Sequence, residues 1–175
     1  LHRFGASSFG FERDNYIATL VQHNQPLDDW PRFYVERRLE PQLALAVDQG
    51  RVSRAISAGF PRLFARIEQL CGPREAPARL HGDLWGGNAL ADERGQPVLI
   101  DPAVYGGHRE IDLAMMQLFG GFGADCFAAY DEHHPRAAGH AERVPLYQLY
   151  PLMVHVNLFG GSYVAGVERA LSRLV

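Results

Sequence analysis

The 175-residue sequence contains no lysine, so all 17 of its basic side chains are arginine. That absence excludes a phosphate loop ending in Gly-Lys-Ser/Thr, and Gly5-Ala-Ser-Ser-Phe-Gly10 is read as an irregular turn despite its two glycines. Cysteine is scarce as well. Cys71 and Cys126 are far apart and have neither metal-ligand nor redox spacing, which points to reduced thiols in a cytoplasmic protein. Apolar runs fall well short of the roughly 20 residues a membrane helix needs, and the first residues do not read as a signal peptide, so no membrane partner is expected. An excess of positive charge is also missing: a net charge of -3 and a pI near 6.2 argue against a nucleic-acid partner. What remains, 47% hydrophobic and 21% charged, suits one globular domain with a sizeable core and small-molecule partners.

The residues that carry chemistry are concentrated in His81-Gly82-Asp83-Leu84-Trp85-Gly86-Gly87-Asn88 and, shortly after, Val98-Leu99-Ile100-Asp101-Pro102-Ala103. An Asp, an Asn five positions on and a second Asp ending an apolar strand form the layout that phosphoryl transfer from a metal-bound nucleotide uses. A transferring phosphoryl group spreads negative charge over its oxygens, so the protein mainly orients the acceptor hydroxyl and holds cations against the phosphates. Asp83 is the candidate catalytic base. Asn88 and Asp101 are the candidate magnesium ligands, because magnesium takes one or two protein oxygens beside phosphate oxygens and water. Gly86 and Gly87 allow a tight turn there. Trp85 offers a flat ring suited to packing on a sugar face, and His81 is read as a brace for the loop because a base there would duplicate Asp83.

These motifs, followed by Tyr105-Gly-Gly-His-Arg-Glu-Ile-Asp-Leu-Ala-Met115, resemble the fructosamine (ketosamine) kinase family, within the aminoglycoside and choline kinase-like small-molecule kinases. Phe9-Gly-Phe11, Asn15-Tyr-Ile17, Gln22-His-Asn24, Asp29-Trp30 and Glu36-Arg-Arg-Leu39 extend the resemblance toward the first residues. It implies an α+β, mostly helical chain: the C-terminal lobe of a protein kinase-like fold, with a small β-hairpin carrying the metal ligands. It also implies ATP-dependent, Mg2+-dependent phosphorylation of a ketosamine or of a glycated amine or protein, at the sugar C3 hydroxyl. Trp85 is then expected to contact substrate, Asp112 to brace the catalytic loop, and His108 and Arg109 to line the acceptor pocket. Asp101-Pro-Ala replaces the protein-kinase Asp-Phe-Gly and Gly82 replaces the Arg of His-Arg-Asp, so no phosphorylation switch and no peptide-cradling loop are expected.

Along the chain, residues 1–27 show no long helical period, and the resemblance implies an irregular segment near the acceptor-binding side. Asp28-Asp29-Trp30-Pro31 reads as a helix start. That helix should turn Phe33, Leu39, Leu43 and Val47 inward, end near Gly50 and kink or split at Pro41. Ser53 caps a second helix with Ile56, Phe60, Leu63 and Ile67 on its apolar face and a break expected at Pro61. Short strands at 79–81, 89–91 and 97–100 follow, the last two joined by a turn at Asp92–Gly95. Glu110 opens a further helix, another carries Cys126, Phe127 and Tyr130, and two more fill the end with a break at Gly160-Gly161. His133, His134 and His140 lack ordered ligand spacing and read as a solvated loop.

With no lysine to clamp the nucleotide phosphates, and residues 1–80 reading mostly as helix, residues 1–175 are expected to form the catalytic lobe alone, the nucleotide lobe lying outside them. Two other readings stay open: a kinase for an aminoglycoside or choline-like acceptor, and a catalytically incompetent lobe serving as a binding module.

Overall fold

The computed structural model describes residues 1–175 and is mostly helical, with three small two-stranded antiparallel sheets. The first sheet pairs β1 (Asn15–Ile17) with β2 (Leu20–Gln22). Residues 1–27 are therefore not wholly irregular: Ala18, at φ 50, turns the chain tightly enough for the two short strands to pair.

Asp29 caps α1 (Trp30–Phe33), its side chain accepting from the Arg32 N–H, and Pro31 sits in the first turn. The chain stays helical through a π-type segment, Tyr34–Leu39, into α2 (Glu40–Asp48). Pro41 is absorbed here without a split, because wider turns ahead of it move the hydrogen-bonding register past the missing N–H. Phe33 and Leu39 face inward as expected, whereas Val47 is exposed and Ala46 takes the buried position, the π turns having rotated the helix face. Ser53 caps α3 (Arg54–Phe64) through the Ile56 N–H, a bond of the kind that contributes about 1 kcal/mol. Pro61 does not break this helix either. Its ring lies on the exposed side, and the helix ends only after Phe64, ahead of α4 (Ile67–Leu70).

A second sheet joins β3 (Ala78–Leu80) to β6 (Tyr105–Gly107), and the third is the exposed hairpin of β4 (Ala89–Ala91) and β5 (Pro97–Leu99). The helices α5 (Glu110–Phe119), α6 (Ala124–His133), α7 (His140–Phe159) and α8 (Val164–Leu174) complete the chain. The centre is α7, which packs against α2, α5 and α8 and buries Leu146, Leu149, Met153 and Val156 completely. Tyrosines tie it to the first half of the chain: Tyr34 donates to the Leu146 carbonyl at 2.8 Å and Tyr147 to that of Cys71 at 2.7 Å. Both cysteines are free; Cys71 is buried, which pushes its thiol up to about 12, and Cys126 is exposed. No helix is long and apolar enough to cross a membrane.

Candidate active site

The loop from His81 to Asn88 leaves the end of β3 and enters the β4–β5 hairpin through a single 3-10 turn, Gly86–Asn88. Its anchor is Asp112, completely buried in the first turn of α5. One carboxylate oxygen accepts the His81 N–H at 2.7 Å and the other the Gly82 N–H at 2.9 Å. The oxygen that bonds His81 also bonds His2 Nε2 at 3.0 Å. Asp112 thus caps the His81–Asn88 loop across the fold rather than its own helix. Two backbone donors and an imidazole satisfy both oxygens of this carboxylate away from water.

His81 uses both ring nitrogens. Nε2 lies 2.9 Å from the Ile100 carbonyl, which can only accept, so the proton sits there and Nδ1 accepts the Asp83 N–H at 3.3 Å. One side chain therefore joins the backbone of Asp83 to the residue before Asp101, and no ring nitrogen is left for proton transfer. Gly82 completes the brace. Its φ is +84, and a Cβ there would overlap the Ala103 carbonyl oxygen, so the Asp101–Ala103 segment packs where a side chain would be.

Asp83 is half-buried. Burial pushes its carboxyl above the usual range, opposed by the hydrogen bond from Asn88. Asn88 Nδ2 donates to the Asp83 carbonyl at 2.9 Å and to Asp83 Oδ2 at 3.1 Å, leaving Asp83 Oδ1 and Asn88 Oδ1 without hydrogen bonds. Across the hairpin the Asn88 carbonyl accepts the Ile100 N–H at 3.0 Å, which brings Asn88 and Asp101 to matching strand ends. Asp101 is exposed, stands at φ 50, and its carboxylate makes no hydrogen bond or ion pair. An amide oxygen and a free carboxylate at one hairpin end suit a magnesium ion, whose remaining positions go to phosphate and water.

A cavity of about 280 Å³ opens beside Asp83 and Trp85. Its walls are Ile17 and Ala18 from the β1–β2 turn, Met115 and Phe119 from α5, His155 and Phe159 from α7, and Tyr163 just before α8. The His155 ring stacks on Phe119 at 4.4 Å, and its Nδ1 donates to the Pro151 carbonyl at 2.8 Å, which leaves Nε2 as an acceptor. Asp83 is the one carboxylate among these walls, so the cavity offers flat apolar faces, one carboxylate and the free His155 nitrogen. A slightly larger cavity of about 320 Å³, between α5, α7 and α8, has Arg169, Arg173, Gln117 and Gln148 among mostly apolar walls and holds none of the loop residues.

His108 and Arg109 do not line the Asp83 cavity, contrary to the expectation from the motif. Both are buried: His108 stacks on Tyr147 at 5.2 Å, and Arg109 pairs with Glu75 at 2.8 Å and donates to the His134 and Pro135 carbonyls. A guanidinium occupied in this way braces the β3–α5 region and has no donor to offer a substrate. Conversely, sequence reading missed His155, Phe159 and Tyr163, taking their helices as packing only. The irregular aromatic and histidine spacing after Pro151 was the one available signal.

A fructosamine kinase family model matches residues 1–175. A relative in Enterococcus faecium named "Probable ketoamine kinase" is 44% identical over 98% of this chain and 62% of its own length. The Arabidopsis thaliana "Protein-ribulosamine 3-kinase, chloroplastic" is 41% identical over 93% of this chain and 50% of its own. A solved structure from Thermobifida fusca YX-ER1, whose name includes the words fructosamine-3-kinase, is 44% identical and superposes with a TM-score of 0.92, covering 98% of this chain and 61% of that one. The chain thus spans between half and two thirds of the length of these relatives. With the braced loop, the hairpin and the family match over its whole length, this chain belongs to the fructosamine kinase family.

Proposed function

We propose that this chain is the acceptor- and metal-binding lobe of a kinase that transfers the γ-phosphoryl group of ATP to the C3 hydroxyl of a ketosamine sugar. The observation that carries the reading is Asp83, with one free carboxylate oxygen, at the mouth of a cavity walled by aromatic rings and next to a hairpin end that presents Asn88 and Asp101. Trp85, 41% exposed, supplies a flat face for the sugar ring. Asp83 Oδ1 accepts the proton of the acceptor hydroxyl as that oxygen bonds to the γ-phosphorus and the bond to the leaving ADP oxygen breaks. Its raised pKa makes Asp83 a better base than an ordinary carboxylate. Asn88 Oδ1 and the Asp101 carboxylate would hold magnesium, which when bound neutralises phosphate charge. The lysine-free sequence leaves the clamp on the nucleotide phosphates to a separate lobe.

The names of the relatives favour ketosamines over aminoglycosides or choline-like alcohols as acceptors. The test is magnesium-dependent ADP release by the full-length protein with a simple fructosamine, an aminoglycoside and choline. Turnover with the fructosamine alone, lowered at least about a hundredfold by Asp83→Asn, is expected. Equal or faster turnover with another acceptor would overturn the substrate reading, and absence of ADP release with all three would overturn the kinase reading.

A further inference from the structure

Asp101 is an unusual residue to entrust with a metal. It is exposed, stands at positive φ, and its carboxylate bonds to nothing that would hold it in place. Its position must come from its neighbours. On one side the Ile100 carbonyl is held by His81. On the other, Pro102 fixes its own φ, and the next two carbonyls are both taken by side chains of the β1–β2 hairpin. Gln22 Nε2 donates to the Ala103 carbonyl at 3.0 Å, and Asn15 Nδ2 to the Val104 carbonyl at 2.8 Å.

These two amides face each other at the base of the hairpin and are themselves locked. Gln22 is 1% exposed; its Nε2 also donates to Asn15 Oδ1 at 2.8 Å, and its Oε1 accepts from Tyr150 of α7 at 2.9 Å. Asn15 Oδ1 accepts a second bond from Asn24 at 2.7 Å, and Asn24 is held in turn by Arg38 at 2.7 Å. The fully buried Arg38 guanidinium lies 3.8 Å from the centre of the Tyr105 ring. The same hairpin carries Ile17 and Ala18 into the wall of the Asp83 cavity.

We propose that Gln22 and Asn15 are positioning residues for the metal ligand Asp101, and that the β1–β2 hairpin sets the distance between the acceptor wall and the metal. The proposal rests on the phosphotransfer reading above. A merely structural Gln22 would lower stability when replaced and leave metal affinity alone. A positioning Gln22 would weaken the metal.

The experiment measures Mn2+ binding to the full-length protein by electron paramagnetic resonance, in the presence of a non-hydrolysable ATP analogue and with no acceptor. Gln22→Met removes all three side-chain hydrogen bonds of Gln22 at similar volume and is expected to weaken Mn2+ about tenfold. Tyr150→Phe removes only the bond that orients the Gln22 amide, guards against a Gln22 variant that does not fold, and is expected to weaken Mn2+ about two- to threefold. Asn157→Leu removes an equally buried amide that bonds Gln42 at 2.8 Å, remote from Asp101, and is expected to lower the melting temperature without changing Mn2+ affinity. Unchanged affinity in the Gln22 and Tyr150 variants overturns the proposal. So does an equal loss in Asn157→Leu, or absence of Mn2+ binding by the wild-type protein. Because no acceptor is turned over, a protein that binds Mn2+ as expected but leaves ketosamines untouched would overturn the substrate reading and not this one.

Discussion

Replacing Asp112 by asparagine tests whether the catalytic loop is held from α5. The carboxylate is completely buried and makes three bonds: to the His81 N–H, to the Gly82 N–H and to His2 Nε2. An asparagine has only one acceptor oxygen. Placed where the doubly bonded oxygen stands, it keeps His81 and His2 and turns an NH2 group against the Gly82 N–H. The opposite flip loses two bonds, so the first is preferred. One charge-assisted bond is then lost and a buried backbone donor is stranded, a combined cost of about 2–4 kcal/mol once removal of the buried charge offsets part of it. For a chain of this size that amounts to a fall of roughly 5–15 °C in melting temperature. Because Gly82 precedes the proposed base, the freed N–H also loosens Asp83, and kcat should fall about ten- to a hundredfold with a smaller change in acceptor KM. Denaturant titration and steady-state kinetics of the full-length variant check both. A stability loss below about 0.5 kcal/mol, or an unchanged kcat, would refute the brace.

Gly82→Ala should be at least as damaging, because φ +84 strains any side chain and the Cβ overlaps the Ala103 carbonyl oxygen; a thermal melt and a Mg2+ titration of the variant would show both a lower midpoint and weaker metal. Asp83→Asn should abolish transfer without destabilising the fold at neutral pH. The folded state binds the Asp83 proton more tightly than the unfolded one, so ionised Asp83 costs stability above its folded pKa. The stability advantage of the variant is therefore fully present at neutral pH and shrinks as pH falls through the raised folded value toward the ordinary carboxylate range; urea midpoints across pH check the sign. Arg143→Met leaves Glu110, paired with it at 2.7 Å and buried, without a partner, which should cost about 3–5 kcal/mol by denaturant titration. Adding Glu110→Gln should restore much of that loss.

Local signals were legible where a residue acts on its near neighbours. Asp29 and Ser53 cap helices because their side chains reach an N–H three positions on, and the Asp92–Gly95 turn pairs two short strands that put Asn88 and Asp101 at one end. The prolines misled. Pro41 and Pro61 were expected to break helices, but a π-type turn absorbs the first and an exposed helix face tolerates the second. The site was legible only in its loop half. Arg109, expected at the acceptor pocket, is claimed by Glu75 34 positions away, and His155, on a helix expected only to pack, lies with Asp83 in one cavity wall. Asp112 bonds backbone N–H groups 30 and 31 positions earlier rather than those of its own helix. Such long-range pairings depend on how α5 and α7 pack, and no local pattern encodes that.

The central claim is that Asp83 acts as the base when the γ-phosphoryl group of ATP passes to a ketosamine C3 hydroxyl. The most direct measurement is the position of the new phosphate, read by phosphorus–proton NMR of the product made from ATP, Mg2+ and a simple fructosamine by the full-length protein and by its Asp83→Asn variant. The account predicts phosphate on the C3 oxygen from the wild type and no product from the variant over the same time. Phosphate on another hydroxyl, or product from Asp83→Asn at the wild-type rate, would contradict it.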